Sequence, residues 1–509
     1  VVIKTMRPHP ILYEINTRVW LRELIKKHGN DLTLGTIPDS EWLHLQKLGF
    51  DCIWLMGVWK PSLQGTRIAT CDDNLQKAYD KVLPEWQADD IIGSPYAISA
   101  YEINPLLGKQ EELTQVRDKL HNFGMRLILD FVPNHMAVDH PWIWSHPDYF
   151  IIQVEQRNPE LFFEVTNKSQ KYFIAHGKDP YFGPWTDTAQ LNYFNPETRR
   201  AMVQILNQIS EVCDGVRCDM TMLVLNNNFR NIWRDYLGEW RGFEPAMEFW
   251  QEAISSAKGK NPNFIFIAED YWGRESSLYH QRLGFDYLYD EELYKCLLDL
   301  NASDIKTYLY SDSNQDNIIY HRHSFRFIEN HDKERAITAF GIEKSKAAAV
   351  IFSTLMGMRQ FHQGQLKGNS IQIPVQLKRV KEQSCVESLA VFYRTLLTSI
   401  NAPCFHYGDW HWLDARAVGY DQSYQNLISW YWSYDHSLKL IVVNYAEHRS
   451  QGWISMPNLD DFDETLVLWD ELNHQSYQNS KADIASKGLY IALDAFQFHL
   501  FDISDKVSS

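Results

Sequence analysis

Along residues 1–402, short and nearly continuous apolar runs alternate with amphipathic stretches. The runs at 53–58, 127–132, 215–219, 264–269 and 325–330 are dense in Ile, Val, Leu and Phe. Such runs predict strands covered on both faces, as in a parallel sheet. A further strand-like segment is expected over 11–20. Between the runs, Leu113, Val116, Leu120 and Phe123 recur at helical spacing, and Gly124 supplies a C-terminal stop. Asn195 and Pro196 read as an N-cap and first-turn proline, followed by an apolar face of Met202, Ile205, Ile209 and Val212. Alternation of this kind, over this length, predicts an α/β fold, a (β/α)8 TIM barrel.

Two intervals break the rhythm. Residues 136–192 are rich in Pro, His, Trp, Tyr and Asp and show no βα unit. Placed after the third strand, they predict an inserted loop domain walling the mouth of the barrel. Beyond Asn401 the runs become short, and Phe496, Phe498 and Leu500 alternate with Gln497 and His499, the period of a half-buried strand. The expected organisation is barrel at 1–135, inserted domain at 136–192, barrel again at 193–402, and a C-terminal antiparallel β-sandwich domain at 403–509.

Composition narrows the partners. With 45% hydrophobic and 22% charged residues the chain has the balance of a globular protein. A net charge of −16 disfavours nucleic acid and anionic membranes, while a neutral substrate is indifferent to it. Aromatic residues make up 14% of the chain, which suits stacking against sugar rings and equally suits the core of a large barrel. Seven cysteines without framework or zinc spacing fit a reduced, cytoplasmic protein. The N-terminal residues lack a signal-peptide pattern, and no run of about 18 apolar residues predicts a membrane span.

Three predicted strands end in acids. Gly215-Val-Arg-Cys-Asp219 places Arg217 and Asp219 two residues apart, hence on one side of a strand. Phe264-Ile-Phe-Ile-Ala-Glu269 ends in Glu269, and Asn330-His-Asp332 follows a third run. Any one of these acids alone reads as a turn acceptor or helix cap. Strand C-termini converge in a barrel, so together they imply a crowded acidic pocket that a fold has no stability reason to keep.

These motifs resemble the α-amylase family, glycoside hydrolase family 13. Leu129-Asp-Phe-Val-Pro-Asn-His135 is similar to its first motif, and Gly215 to Asp219 to its second. Ile267-Ala-Glu269 resembles the third, Asn330-His-Asp332 the fourth, and Thr188-Ala-Gln-Leu-Asn192 a short additional motif. Ser94-Pro-Tyr96 resembles the segment carrying a ring-stacking tyrosine. The resemblance implies a retaining α-glycosidase. Asp219 would be the nucleophile, Glu269 the general acid/base and Asp332 the transition-state stabiliser. Tyr96, Asp130, His135, Arg217 and His331 would contact the sugar or hold these groups. Nucleophile and acid should then lie about 5–5.5 Å apart, with Arg217 favouring ionised Asp219 and Glu269 keeping the raised pKa.

Departures from the family pattern shape the expected specificity. Where typical endo-acting relatives carry a Lys-His pair after the second motif, this chain reads Met220-Thr-Met-Leu223. Short α-glucans or small α-glucosides are therefore the expected substrates. Gln190 stands where the family's calcium site has an Asp, so calcium is disfavoured and no cofactor is expected. Trp59, Trp185 and Trp272 are candidate specificity residues. Hydrolysis leads; a transglycosylase or isomerase with the same acids, and a non-catalytic sugar-binding protein, are the alternatives.

Overall fold

A computed structural model describes the chain except at residues 1–5, 30, 169, 244, 300–301, 311–314, 457–458, 460–461, 463 and 505–509. Eight parallel strands close into a barrel: β1 Ile11–Asn16, β2 Cys52–Met56, β3 Arg126–Phe131, β4 Gly215–Cys218, β5 Ile265–Ala268, β6 Tyr287–Tyr289, β7 Ser324–Arg326 and β8 Met358–His362. Each strand pairs with its sequence neighbours, and β8 closes on β1 through Ile11 opposite Arg359. β2, β3, β4 and β5 are buried along their whole lengths, because helices cover one face and the barrel interior fills the other. At Gly215 an added Cβ would stand 2.6 Å from the Ile265 backbone oxygen, so only glycine lets β4 approach β5 this closely.

Local signals account for most element ends. Helix α1, Thr17–His28, starts where Asn16 accepts a bond from the Val19 amide. The strand expected over 11–20 therefore stops at Asn16, and its last four residues open a helix instead. Asn195 caps the helix Pro196–Ile209 through the Glu197 amide, and Gly124, at φ +75°, follows the helix Glu111–Asn122. On the Pro196–Ile209 helix the buried stripe is Met202, Leu206 and Ile209, so Leu206 takes the place expected of Ile205.

After β3 the chain leaves the barrel as expected. His135–Ala137 pairs with Thr188–Gln190, and a three-stranded antiparallel sheet of Ile152–Gln153, Gln170–Ala175 and Phe162–Asn167 stands outside it. A second excursion follows β2, with helices Leu63–Cys71 and Asp73–Val82 and the pair Trp59–Pro61 and Ile98–Ile103. It builds its own small core from Ala69, Tyr79, Val82, Leu83, Ile91 and Leu377. The apolar pattern carried no sign of it, since that core is completed by Leu377 from far along the chain.

The C-terminal part holds a six-stranded and a three-stranded antiparallel sheet. Its central strand, Ser437–Asn444, divides by faces. Leu438, Leu440 and Val442 pack inside the two-sheet unit, while Ile441 and Val443 join the barrel core. Both faces are covered, which is why this run is continuously apolar in sequence. Trp432 ties the unit down by donating its indole N–H to the Thr354 carbonyl at 2.7 Å.

Candidate active site

The site is assembled by strand register. Cys218 pairs with Ala268, so Asp219 and Glu269 are the next residues on neighbouring strand ends. The ladder continues through the Glu269 amide, which donates to the Cys218 carbonyl at 3.0 Å. Adjacent strands lie about 4.8 Å apart, close to the separation a double displacement needs of its two carboxyls.

Arg217 lies beneath both acids and is fully buried. Its Nη1 donates to Asp219 Oδ1 at 2.8 Å, its Nη2 forms an ion pair with Glu269 Oε1, and its Nε donates to the Tyr289 hydroxyl at 3.2 Å. The guanidinium also lies 5.3–5.5 Å from the ring centres of Trp54, Tyr96 and Tyr289. A desolvated cation of this kind is stable only with acceptors on its fork, and the two carboxylates supply them.

Burial pushes the Glu269 carboxyl up to about 7, aided by the charges of Asp219 and Asp332 and opposed by Arg217. Burial also pushes Asp219 above the usual carboxylate range, against the pull of the Arg217 bond. Arg217 was expected to favour ionised Asp219 and does pull it down, but burial outweighs that pull, and Glu269 has the raised pKa as expected. The arginine is shared, because both strand ends face the same buried fork. Asp332 is held down at about 2: burial acts upward on it, and the charge and hydrogen bond of His331, with Arg217 and Lys333, outweigh that. Its side chain is 46% exposed, open to the pocket.

Two groups on Glu269 were not foreseen. The Met220 amide donates to Oε2 at 2.8 Å, and the Tyr271 hydroxyl donates to Oε1 at 2.9 Å. Met220 adopts left-handed backbone angles, φ +43° and ψ +49°, a conformation that costs a non-glycine residue on the order of 1 kcal/mol. That turn aims its N–H at the acid. Tyr271 had a visible signal in its position two residues beyond Glu269; the Met220 turn had none.

The acids open into a cavity of about 820 Å3. Tyr96, His135, Asp219, Glu269 and Asp332 line it, and the inserted domain contributes its wall from Asp179 to Thr188. His135 is buried beside the Trp185 ring, and burial lowers its pKa to about 4, leaving a neutral imidazole at pH 7. Trp272 lines the cavity, its ring centre 6.3 Å from that of Tyr181 across the mouth. Met222 lines it as well, in the place of the family's Lys-His region.

Three expected contacts move into supporting positions. Asp130 does not line the cavity: its Oδ1 accepts from the Trp54 indole at 3.0 Å and its Oδ2 from the Gly57 amide at 2.8 Å. Gly57, at φ +81°, makes the turn that points this amide inward. Trp59 is buried, its indole donating to the Asp130 carbonyl at 2.7 Å, so it is core and not a specificity loop. His331 lies behind Asp332, joined to Asp332 Oδ2 at 3.1 Å, to the Tyr96 hydroxyl at 2.7 Å and to Glu14 Oε1 at 2.5 Å. Glu14, fully buried on β1, was missed, although a glutamate inside the run Ile-Leu-Tyr-Glu-Ile is itself a signal.

Asn134 and Gln190, at the place where the family resemblance implied calcium, bond to each other as a pair of amides. Gln190 Nε2 donates to Asn134 Oδ1 at 3.0 Å, and Asn134 Nδ2 donates to Gln190 Oε1 at 3.2 Å. Both amide oxygens are thus already used, with no carboxylate between them. Among the described residues no group of three or more His, Cys, Asp or Glu is placed to hold a metal.

A barrel with three acids around its mouth, a walled pocket and a trailing β-domain defines the class. Residues 40–391 match the family model described as "Alpha amylase, catalytic domain", and the chain belongs to that family. Among curated relatives, it is 25% identical over 288 residues to Alpha-amylase 3 of Dictyoglomus thermophilum, covering 52% of each chain. The chain spans about half the length of the first curated relatives it matches, 52% and 43%. The α-amylase of Geobacillus thermoleovorans, solved with acarbose, superposes with a TM-score of 0.66 at 17% identity, over 99% of this chain and 100% of that one. A noncanonic maltogenic α-amylase of Thermotoga neapolitana superposes with a TM-score of 0.64 at 18% identity, over 97% and 98%. These likenesses show the fold.

Proposed function

We propose that this protein is a retaining α-glycosidase that hydrolyses α-glucosidic bonds in short α-glucans or small α-glucosides. The observation carrying this reading is Arg217 bridging Asp219 and Glu269 at the floor of the cavity. Protonated Glu269 donates to the departing glycosidic oxygen while Asp219 attacks the anomeric carbon, giving a covalent glycosyl-enzyme. Glu269, now a carboxylate, takes the proton of water as it resolves the intermediate. The Met220 and Tyr271 donors favour that second form, and the pKa of about 7 lets one group serve both steps. Asp332, ionised throughout, binds ring hydroxyls as positive charge develops on the sugar, and Tyr96 and His135 line the same cavity.

A short substrate is supported by Met222 at the cavity wall where a Lys-His pair would grip longer glucans. The Asn134–Gln190 pair does not fit calcium, and no step is assigned to a metal. All seven cysteines are free thiols, which supports a cytoplasmic setting; among the described residues no helix is long and apolar enough to cross a membrane. The test is a product profile over maltooligosaccharides, starch, sucrose and trehalose, with Asp219→Asn as blank. Cleavage of short glucosides over starch is the expected result, and silence across the panel would sink the reading.

A further inference from the structure

We propose that Glu14 is a positioning residue that holds both ring N–H groups of His331 in place, so that Nε2–H stays aimed at Asp332 and the sugar beside it. The inference rests on the function proposed above for Asp332 and extends it to a residue one layer deeper.

The geometry carries the argument. Glu14 points into the barrel from β1 and is fully buried. Its Oε2 accepts from the Gln360 amide on β8, and its Oε1 faces His331 Nδ1 at 2.5 Å. A carboxylate can only accept, so Nδ1 carries a proton. On the other side of the ring, Nε2 faces Asp332 Oδ2 at 3.1 Å. That contact is an ion pair, and the negative charge of Asp332 beside Nε2 favours the protonated ring. An imidazole flanked by two carboxylates is thus an imidazolium, and its charge belongs to the Glu14–His331–Asp332 row. The Tyr96 hydroxyl, 2.7 Å from Nε2, accepts from the same N–H and ties the ring-binding tyrosine to the row.

Neighbours on every packed element agree with this assignment. Trp54 on β2 sets its ring edge-on to His331 at 5.5 Å, offering no competing acceptor. Asp130, at the end of β3, adds further negative charge near the imidazole. The positive groups are committed elsewhere: Arg217 to Asp219 and Glu269, Lys333 to Glu291 at 2.8 Å, and Arg335 to Glu329. His362 on β8 faces Glu329 Oε1 at 3.1 Å and adds its influence to Glu14. Consistently, Asp332 and Glu14 push the His331 pKa well above the usual histidine value, against burial, which is the largest single effect on it. Removing the Glu14 charge leaves a desolvated imidazole with one carboxylate, and that carboxylate opens to solvent in the pocket.

Two measurements test this on the full chain. In 15N-histidine spectra, with His331→Asn used to assign the signal, wild-type His331 should keep imidazolium shifts at both ring nitrogens through pH 8. In Glu14→Gln the signal should titrate at lower pH, by about one unit or more for the loss of a close opposite charge. In kinetics on maltotriose the alkaline limb of kcat/KM belongs to Glu269 at about 7, so Glu14→Gln should show instead as a KM raised relative to wild type by a ratio that grows with pH. Glu14→Asp, which keeps the charge, should restore most of the wild-type KM at the alkaline end. A residue that only packs would lower activity evenly across pH. A KM ratio that stays constant with pH, or a neutral His331 in the wild type at pH 7, overturns the proposal, and the wild-type spectrum can do so even if Glu14→Gln does not fold. Absence of glycosidase activity would refute the proposed function while the spectra still judged Glu14.

Discussion

Tyr271→Phe isolates one hydrogen bond to the general acid. The Tyr271 hydroxyl donates to Glu269 Oε1 at 2.9 Å and therefore stabilises the ionised carboxylate. Hydrogen bonds to charged groups contribute about 1.5–3 kcal/mol, or roughly one to two pKa units at 1.36 kcal/mol per unit. Tyr271 is half-buried beside the cavity, so water will replace part of the lost bond. A rise of about 0.5–1 unit above the present value of about 7 is expected. The sign follows from the two steps. Glycosylation needs protonated Glu269, so the alkaline limb of kcat/KM for maltotriose should move to higher pH. Deglycosylation needs the carboxylate, so the resolving step should slow near neutrality and glycosyl-enzyme should accumulate with an activated aryl glucoside. Progress curves from pH 5 to 9, with burst amplitudes, read both effects. An alkaline limb that stayed in place or moved to lower pH would refute the role given to this bond.

Glu269→Gln should cost about 10²–10⁴ in kcat on an unactivated glucoside, with glycosylation spared for a good leaving group. The same variant carries a stability signature. The Glu269 carboxyl is raised from 4.5 to about 7, so the folded chain keeps a proton that the unfolded chain has released, and stability falls as pH rises through that window. Glutamine does not ionise, so the variant's stability relative to wild type, followed by Tm, should improve from pH 5 to pH 8 by up to an order of 3 kcal/mol before the lost Arg217 partner is counted; a constant gap would refute the shift. Phe182, 74% exposed at the cavity rim, should matter for longer glucans: Phe182→Ala is expected to raise KM for maltohexaose about two- to tenfold and leave maltose nearly unchanged. The wild-type Tm should not respond to calcium or chelator, whereas Gln190→Asp breaks the amide pair with Asn134 and should lose stability that calcium restores; a calcium-dependent wild-type Tm would contradict this reading of the pair.

Much of this architecture was legible in the chain itself. Runs such as 127–132 and 215–219 are apolar throughout because they are covered on both faces, and no other environment asks for that pattern. The strand-end acids were visible for a related reason: a charged residue closing an apolar run stands out. The excursion after β2 was hidden, since its small core borrows Leu377 and its helices are mostly polar. Asp130 was legible as a residue of the first motif and Trp59 as a specificity candidate, but neither in its orientation. One turn at Gly57 captures the Asp130 carboxylate, and no one-dimensional pattern encodes that turn's direction.

Sequence alone determined the barrel, the excursion after its third strand and the placing of three acids at strand ends, because periodicity and strand-end chemistry are local properties. Tertiary structure decided how those acids are governed. Arg217 is shared between Asp219 and Glu269 because the β4–β5 register places both over one guanidinium. Glu14 reaches His331 across 317 residues only because β1 closes the barrel beside β8 and points its side chain inward. Charges interact through space as the inverse of distance and in a medium set by burial, and neither quantity is written along the chain.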